Sequence, residues 1–208
     1  LVTICNAGTL ACDGIGTSTA PMRAAWADGV RFKVVATYTA PLYQGARLTA
    51  WELHKDGIPI QVITDNMVGH IIREENASSV WAGADRIIGN GTKESGTVYN
   101  KIGTYGLSII AKGFGIPMYV AAPTSTIDSS HKISEIKIEQ RDSSEVRTLF
   151  GGTTIVPSGV DVVNPAFDVT PPENVTAIIT EVGIARSPYR ISIAKLLNGP
   201  NSMLNPER

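Results

Sequence analysis

The amino-acid sequence predicts an α/β fold, a doubly wound and mostly parallel sheet with helices on both faces. Three observations carry this. Short apolar runs alternate with stretches of helical periodicity through the first 122 residues. Runs such as Val80–Ala84 and Ile116–Ala122 are continuously apolar, as in strands covered on both faces. Helical stretches end at glycines such as Gly29, Gly57 and Gly113, the residue type that most easily closes a helix.

The elements follow in order. Val2–Cys5 is the first strand, and a helix near Thr17–Asp28 closes at Gly29. Phe32–Thr37 is the second strand, followed by a helix over Gly45–Lys55 with Leu48, Trp51 and Glu52 at helical spacing. Ile58–Thr64 is the third strand, after which Asp65 and Asn66 are expected to cap a helix over Met67–Glu75. Val80–Ala84 is the fourth. A glycine-rich connector, Gly89–Gly96, leads to Asn100-Lys101 and a helix over Lys101–Lys112. Ile116–Ala122 is the fifth strand, stopped by Pro123. Residues 124–208 are looser, with a strand expected over Ile133–Gln140, a last strand over Val175–Thr180 and a helix over Ile191–Leu197. At 208 residues and 43% hydrophobic, the chain is long enough for one domain, 1–208, with a sizeable core.

Composition narrows the function classes. A formal charge of −1 leaves no electrostatic footprint for nucleic acid or an anionic membrane. No apolar run is long enough to span a bilayer, and no signal-peptide pattern opens the chain. The two cysteines, Cys5 and Cys12, are too few for a disulfide framework and fit free thiols in a reducing cytoplasm. The chain opens inside what reads as a core strand, so an N-terminal part is expected to be missing or to pair with it.

In an open parallel sheet, ligands bind beyond the carboxyl ends of the strands. Those ends carry Cys5-Asn6, Tyr43-Gln44, Asp65-Asn66, Asp85 and Thr124-Ser125. Helices start just after them, so Asn6-Ala7-Gly8 and Tyr43-Gln44-Gly45 are expected cradles for a phosphate. Plainer roles stand beside these. Asp85 can pair with Arg86 or cap a turn, and Cys5 at a strand end can be structural. His54, His70 and His131 show no ligand spacing, so no metal is expected. Gly14-Ile15-Gly16 is a fragment of a dinucleotide fingerprint without its third glycine, and no acidic residue ends the second strand, so no cofactor is expected either.

Seven stretches carry a resemblance: TICNAGTLA (3–11), YQGARLTAWEL (43–53), ITDNMVGHII (63–72), AGADRI (82–87), NKIGTYGL (100–107), YVAAPTSTID (119–128) and NPAFDVTPPENVTAIITE (164–181). Through them the chain resembles the family of methylthioribose-1-phosphate isomerases, which is related to ribose-1,5-bisphosphate isomerases and to regulatory subunits of translation initiation factor 2B. The resemblance implies a Rossmann-like domain, a homodimer and an aldose-to-ketose isomerisation of a sugar phosphate. It implies that Cys5 is the catalytic cysteine, Asp85 the general acid, and Gln44, Asn100 and Lys101 the substrate or phosphate contacts. It further implies an N-terminal helical domain with an Arg-Gly motif, absent from this chain. Two departures stand out. Fifteen positions separate Asp85 from Asn100, longer than the family's tight turn, and Ala40 precedes Pro41 where the family usually has arginine. As general acid Asp85 needs a raised pKa. Cys5 either acts as a thiolate base through an enolate or steadies charge while hydride moves directly. A bisphosphate isomerase and a non-catalytic scaffold are the competing expectations.

Overall fold

The structure, a computed structural model, describes residues 1–149 and 151–199. Seven strands form the main sheet. They are β1 (Val2–Thr3), β2 (Val34–Thr37), β3 (Ile60–Ile63), β4 (Val80–Ala82), β7 (Met118–Ala121), β10 (Ala177–Thr180) and β11 (Gly183–Ala185), ordered β3-β2-β1-β4-β7-β10-β11. All pair in parallel except the β10–β11 edge. The predicted doubly wound sheet is therefore present. Its order reverses at β1: the chain builds outward through β2 and β3, then returns to lay β4 on the other side of β1.

Both faces are covered. On one, α4 (Val68–Glu74), α5 (Thr104–Gly113) and α7 (Tyr189–Asn198) pack Ile72, Leu107, Ala111 and Ile193 onto Val2, Val80 and Val120. On the other, α2 (Ala20–Ala27) and α3 (Ala50–Lys55) bury Met22 and Leu53 against Val34 and Ile58. Burial of such side chains is worth about 1.5–3 kcal/mol each, more than the weak local propensity of helices this short. A short helix, α1 (Thr9–Cys12), stands just beyond β1, and α6 (Ser144–Arg147) lies between β7 and β10 in the chain.

A second sheet departs from expectation. β5 (Arg86–Ile88), β6 (Val98–Lys101), β8 (Ile127–Asp128) and β9 (Phe167–Thr170) are ordered β8-β5-β6-β9. Asn100 and Lys101 thus end a strand rather than begin a helix. Gly103, at φ 104°, breaks the chain before α5 starts at Thr104. The glycine-rich connector is the turn of an antiparallel β5–β6 hairpin, closed by the Gly96 N–H donating to the Ile88 carbonyl (2.8 Å). Ile133–Gln140 is not a strand. It holds a single turn, Ile133–Glu135, and one isolated bridge at Gln140, because its apolar positions are only partly covered. The strand expected over Val175–Thr180 is β10 and the final helix falls where expected, but a further antiparallel strand, β11, was not foreseen. Among the described residues no helix is long and apolar enough to cross a membrane.

Candidate functional site

β1 and β4 are neighbours in register, Thr3 opposite Trp81, so Cys5 and Asp85 leave the same end of adjacent strands. This is the point where the strand order reverses, the usual place for a ligand in such a sheet.

Cys5 sits at φ 63°, a left-handed conformation that a non-glycine residue adopts at a cost. Its N–H donates to Thr39 Oγ1 (2.8 Å), and its carbonyl accepts from Thr49 Oγ1 (2.6 Å). Thr49 ends a π-helical turn, Gly45–Thr49, a rare geometry that recurs at functional sites. Only glycine fits at 45, since a Cβ there would lie 1.9 Å from the Thr37 carbonyl oxygen. Thr39, itself at φ 62°, is held in turn by Asp65. The Thr39 N–H donates to Asp65 Oδ1 (2.8 Å) and the Ala40 N–H to Oδ2 (2.9 Å). Asp65 is therefore not the side-chain helix cap expected of it, because its carboxylate reaches back to the neighbouring strand end. Asn66 makes no such cap either, and its Oδ1 accepts from Thr64.

Asp85 and Lys101 share the locus. Burial, helped by the Asp85 charge, pushes the Cys5 thiol up to about 11 against the opposing Asn6 backbone hydrogen bond and Lys101 charge. Burial likewise raises the Asp85 carboxyl, with Lys101 lowering it and Glu139 raising it. Asp85 is not paired with Arg86, whose guanidinium is taken by Asp128. Lys101 is 6% exposed, yet among the described residues no carboxylate stands within ion-pair distance of its Nζ. A buried ammonium without a counter-ion is costly, and an anionic ligand would supply one.

Asn100 and Gln44 differ in what they offer. Asn100 Nδ2 donates to Thr104 Oγ1 (2.9 Å), and Thr104 Oγ1 donates to the Lys101 carbonyl (2.7 Å). Its amide therefore fixes the turn that presents Lys101. Gln44 Oε1 is buried with no donor among the described residues.

Two carboxylates, one buried and one half-buried, escaped sequence reasoning. The first is Glu52, 3% exposed. Its oxygens accept from Asn6 Nδ2 (3.0 Å), from the N–H groups of Thr9 (2.7 Å) and Leu10 (3.3 Å), and from Arg23 (2.9 Å). Burial alone would raise this carboxyl; the donors outweigh it and hold it below the ordinary glutamate value. Asn6-Ala7-Gly8 is therefore no free phosphate cradle, because the Asn6 amide and the N–H groups of Thr9 and Leu10 just after it already hold the chain's own anion. The signal was present in the sequence: Glu52 stands one helical turn after Leu48 and next to Leu53, an apolar setting where only a paired carboxylate is tolerated. The second is Asp168, opposite Asn100 in the β6–β9 pair. It accepts from the N–H groups of Gly103 (2.7 Å) and Tyr105 (3.0 Å), yet burial raises it to about 6.

A cavity of about 360 Å³ lies beside the site. Tyr43 and Ile102, the chain neighbours of Gln44 and Lys101, line it together with Pro41, Val146, Leu149 and Val163. Cys5 and Asp85 do not. Among the described residues its one charged lining residue is Glu145, whose carboxylate is engaged by Arg141 (2.7 Å) and Asn164 (3.0 Å).

Residues 1–187 match the model of the initiation factor 2 subunit family. The chain belongs to that family. Within it, the chain is 51% identical over 205 residues to a methylthioribose-1-phosphate isomerase of Pelotomaculum thermopropionicum, covering 98% of this chain and 55% of the relative. It is 52% identical over 200 residues to a 5-deoxyribose 1-phosphate isomerase of Moorella thermoacetica, covering 96% and 55%. Two solved members of this fold are similar. The translation initiation factor eIF-2B subunit delta of A. fulgidus superposes with a TM-score of 0.89 at 44% identity, covering 95% of this chain and 56% of that one. The 5-methylthioribose 1-phosphate isomerase of Pyrococcus horikoshii does so at 0.87 and 40%, covering 94% and 53%. The chain spans about half the length of the curated relatives it matches.

Proposed function

We propose that this chain carries the reaction centre of an aldose–ketose isomerase that converts 5-methylthioribose 1-phosphate to 5-methylthioribulose 1-phosphate, and that it works as a homodimer. The observation that carries the proposal is the placement of Cys5 and Asp85 at the same end of adjacent strands, at the strand-order reversal, with the Lys101 charge acting on both. A thiol, a carboxyl raised by burial and a cation with no ion-pair partner among the described residues, in one place, fit an anionic sugar whose ring must be opened.

The phosphate on C1 masks the aldehyde. Asp85, its carboxyl raised by burial, donates a proton to the ring oxygen as the C1–O bond breaks. C1 is left electron-poor, and hydride moves with its electron pair from C2 to C1. The C2 hydroxyl then releases its proton to the Asp85 carboxylate, giving the ketone and restoring the acid. Lys101 balances the phosphate charge. With its pKa at about 11, Cys5 is a neutral thiol near pH 7 and a poor base, which favours the hydride route over an enolate. Gln44 Oε1 is left to accept from a sugar hydroxyl.

A second phosphate on the sugar would call for a further basic cluster. The cavity beside Gln44 and Lys101 has apolar walls and one carboxylate, and so suits an uncharged 5-substituent. The scaffold alternative draws on the likeness to the A. fulgidus subunit, but it gives the half-buried thiol and a lysine with no ion-pair partner among the described residues nothing to do. Asp85→Asn and Cys5→Ser are expected to fold normally and lose ketose formation. Wild-type turnover in both would overturn the proposal. In heavy water, the product is expected to carry no solvent deuterium at C1.

A further inference from the structure

The conformation of Cys5 is stored strain, and something must hold it. Hydrogen bonds reach it from two directions. One path runs across three adjacent strand ends: Asp65 beyond β3 holds the Thr39 N–H (2.8 Å), and Thr39 beyond β2 accepts the Cys5 N–H on its Oγ1 (2.8 Å). The other comes from the π-helical turn, where Thr49 Oγ1 donates to the Cys5 carbonyl (2.6 Å). Thr39 and Thr49 are each 1% exposed or less, so water does not substitute for either hydroxyl. Thr49 is itself steadied by Asn6 Nδ2 (3.2 Å), which Glu52 also holds.

We infer that Thr39 and Thr49 are positioning residues that pin both backbone groups of Cys5 and so aim its thiol, with Asp65 acting through Thr39. This rests on the isomerase proposal for its catalytic meaning and on the geometry alone for the pinning. The arrangement explains three oddities together: a cysteine and a β-branched threonine both at positive φ, and a π turn packed so tightly on β2 that position 45 admits no side chain. Two hydroxyls that served only packing could be replaced by methyl groups at little cost to chemistry. Hydroxyls that aim a reacting group cannot.

The test uses the intact protein in a Cys12→Ser background, so that Cys5 is the sole thiol. Thr39→Val and Thr49→Val keep shape and remove the hydroxyl, whereas Thr39→Ser and Thr49→Ser keep it. We expect the valine variants to lose about a hundredfold in kcat with little change in KM, as for a reacting group slightly misplaced. We expect the serine variants to recover most of this. Independently of turnover, the rate of Cys5 alkylation followed against pH is expected to shift in the valine variants and not in the serine ones. Altered alkylation without any isomerase activity in the parent would keep the pinning and sink the proposed reaction. Unaltered alkylation and kcat in valine variants that fold would sink the pinning. A thermal-stability cycle with Cys5→Gly covers variants that fold poorly. Glycine takes the left-handed conformation freely, so Thr49→Val should lower Tm less in that background. Equal losses in both backgrounds would also overturn the inference.

Discussion

Replacing Glu52 tests whether the N–H groups after Gly8 hold the protein's own anion. Glu52→Ala strips a receptor from Asn6 Nδ2, from the Thr9 and Leu10 N–H groups and from Arg23. The Glu52 side chain is 3% exposed and that of Arg23 16%, so solvent screens the pair only partly. Removing one partner of a buried pair costs about 3–5 kcal/mol. Because Arg23 keeps Asp56 at 2.6 Å, the lower end applies, about 3 kcal/mol. In a domain of this size that lowers Tm by about 6–12 °C. The assay is a thermal melt of wild type and variant with and without inorganic phosphate or sulfate. The variant opens an anion site of paired N–H groups beside Arg23, so added phosphate should recover part of its lost Tm beyond any effect on wild type. A variant as stable as wild type, or one that phosphate does not rescue, would refute the argument.

Lys101→Met should leave the fold intact or stabilise it, since it removes a buried charge that has no ion-pair partner among the described residues. It should also weaken substrate binding by about 1.5–3 kcal/mol, read as a KM rise of roughly ten- to hundredfold. Asp168 has a folded pKa of about 6 against 3.8 when unperturbed, so its stabilising contribution is complete below about pH 4 and is lost as pH rises through 6. Relative to Asp168→Asn, wild type should therefore lose up to about 3 kcal/mol between those limits, measured by urea unfolding at several pH values. Gly45→Ala places a methyl against the Thr37 carbonyl and should cost at least 1–3 kcal/mol by the same unfolding assay, with loss of turnover as Thr49 shifts.

The main sheet was legible because its strands are apolar on both faces, and that pattern depends only on local sequence. The small sheet was not. Val98–Lys101 places a polar pair, Asn100 and Lys101, in a fully buried strand, and no local rule expects a buried lysine there. Cys5, Asp85, Gln44 and Lys101 were visible as polar residues at strand ends and in the quoted motifs. Thr39, Thr49 and Asp168 were not, because each acts through a backbone group far away in the chain, 44 positions from Cys5 for Thr49. Glu52 could be suspected from its apolar neighbours, but its partner Thr9, 43 positions away, could not be named. Asp65 was visible and misassigned, since capping a local helix and tethering a distant loop require the same side chain. The Ala40 departure costs little locally, for the residue contributes only its N–H to Asp65.

Asp85 stands at a seam. The three residues between β4 and β5 carry the chain from the large sheet to the small one, so the thiol is mounted on one sheet, the ammonium on the other, and the acid on the joint between them. What keeps these mounts in alignment is a shared interior, in which Ile87 and Val98 of the small sheet pack in one cluster with Val2 and Val80 of the large. Trimming a methyl group there would be felt as a change in the distance between reacting groups before it was felt as unfolding.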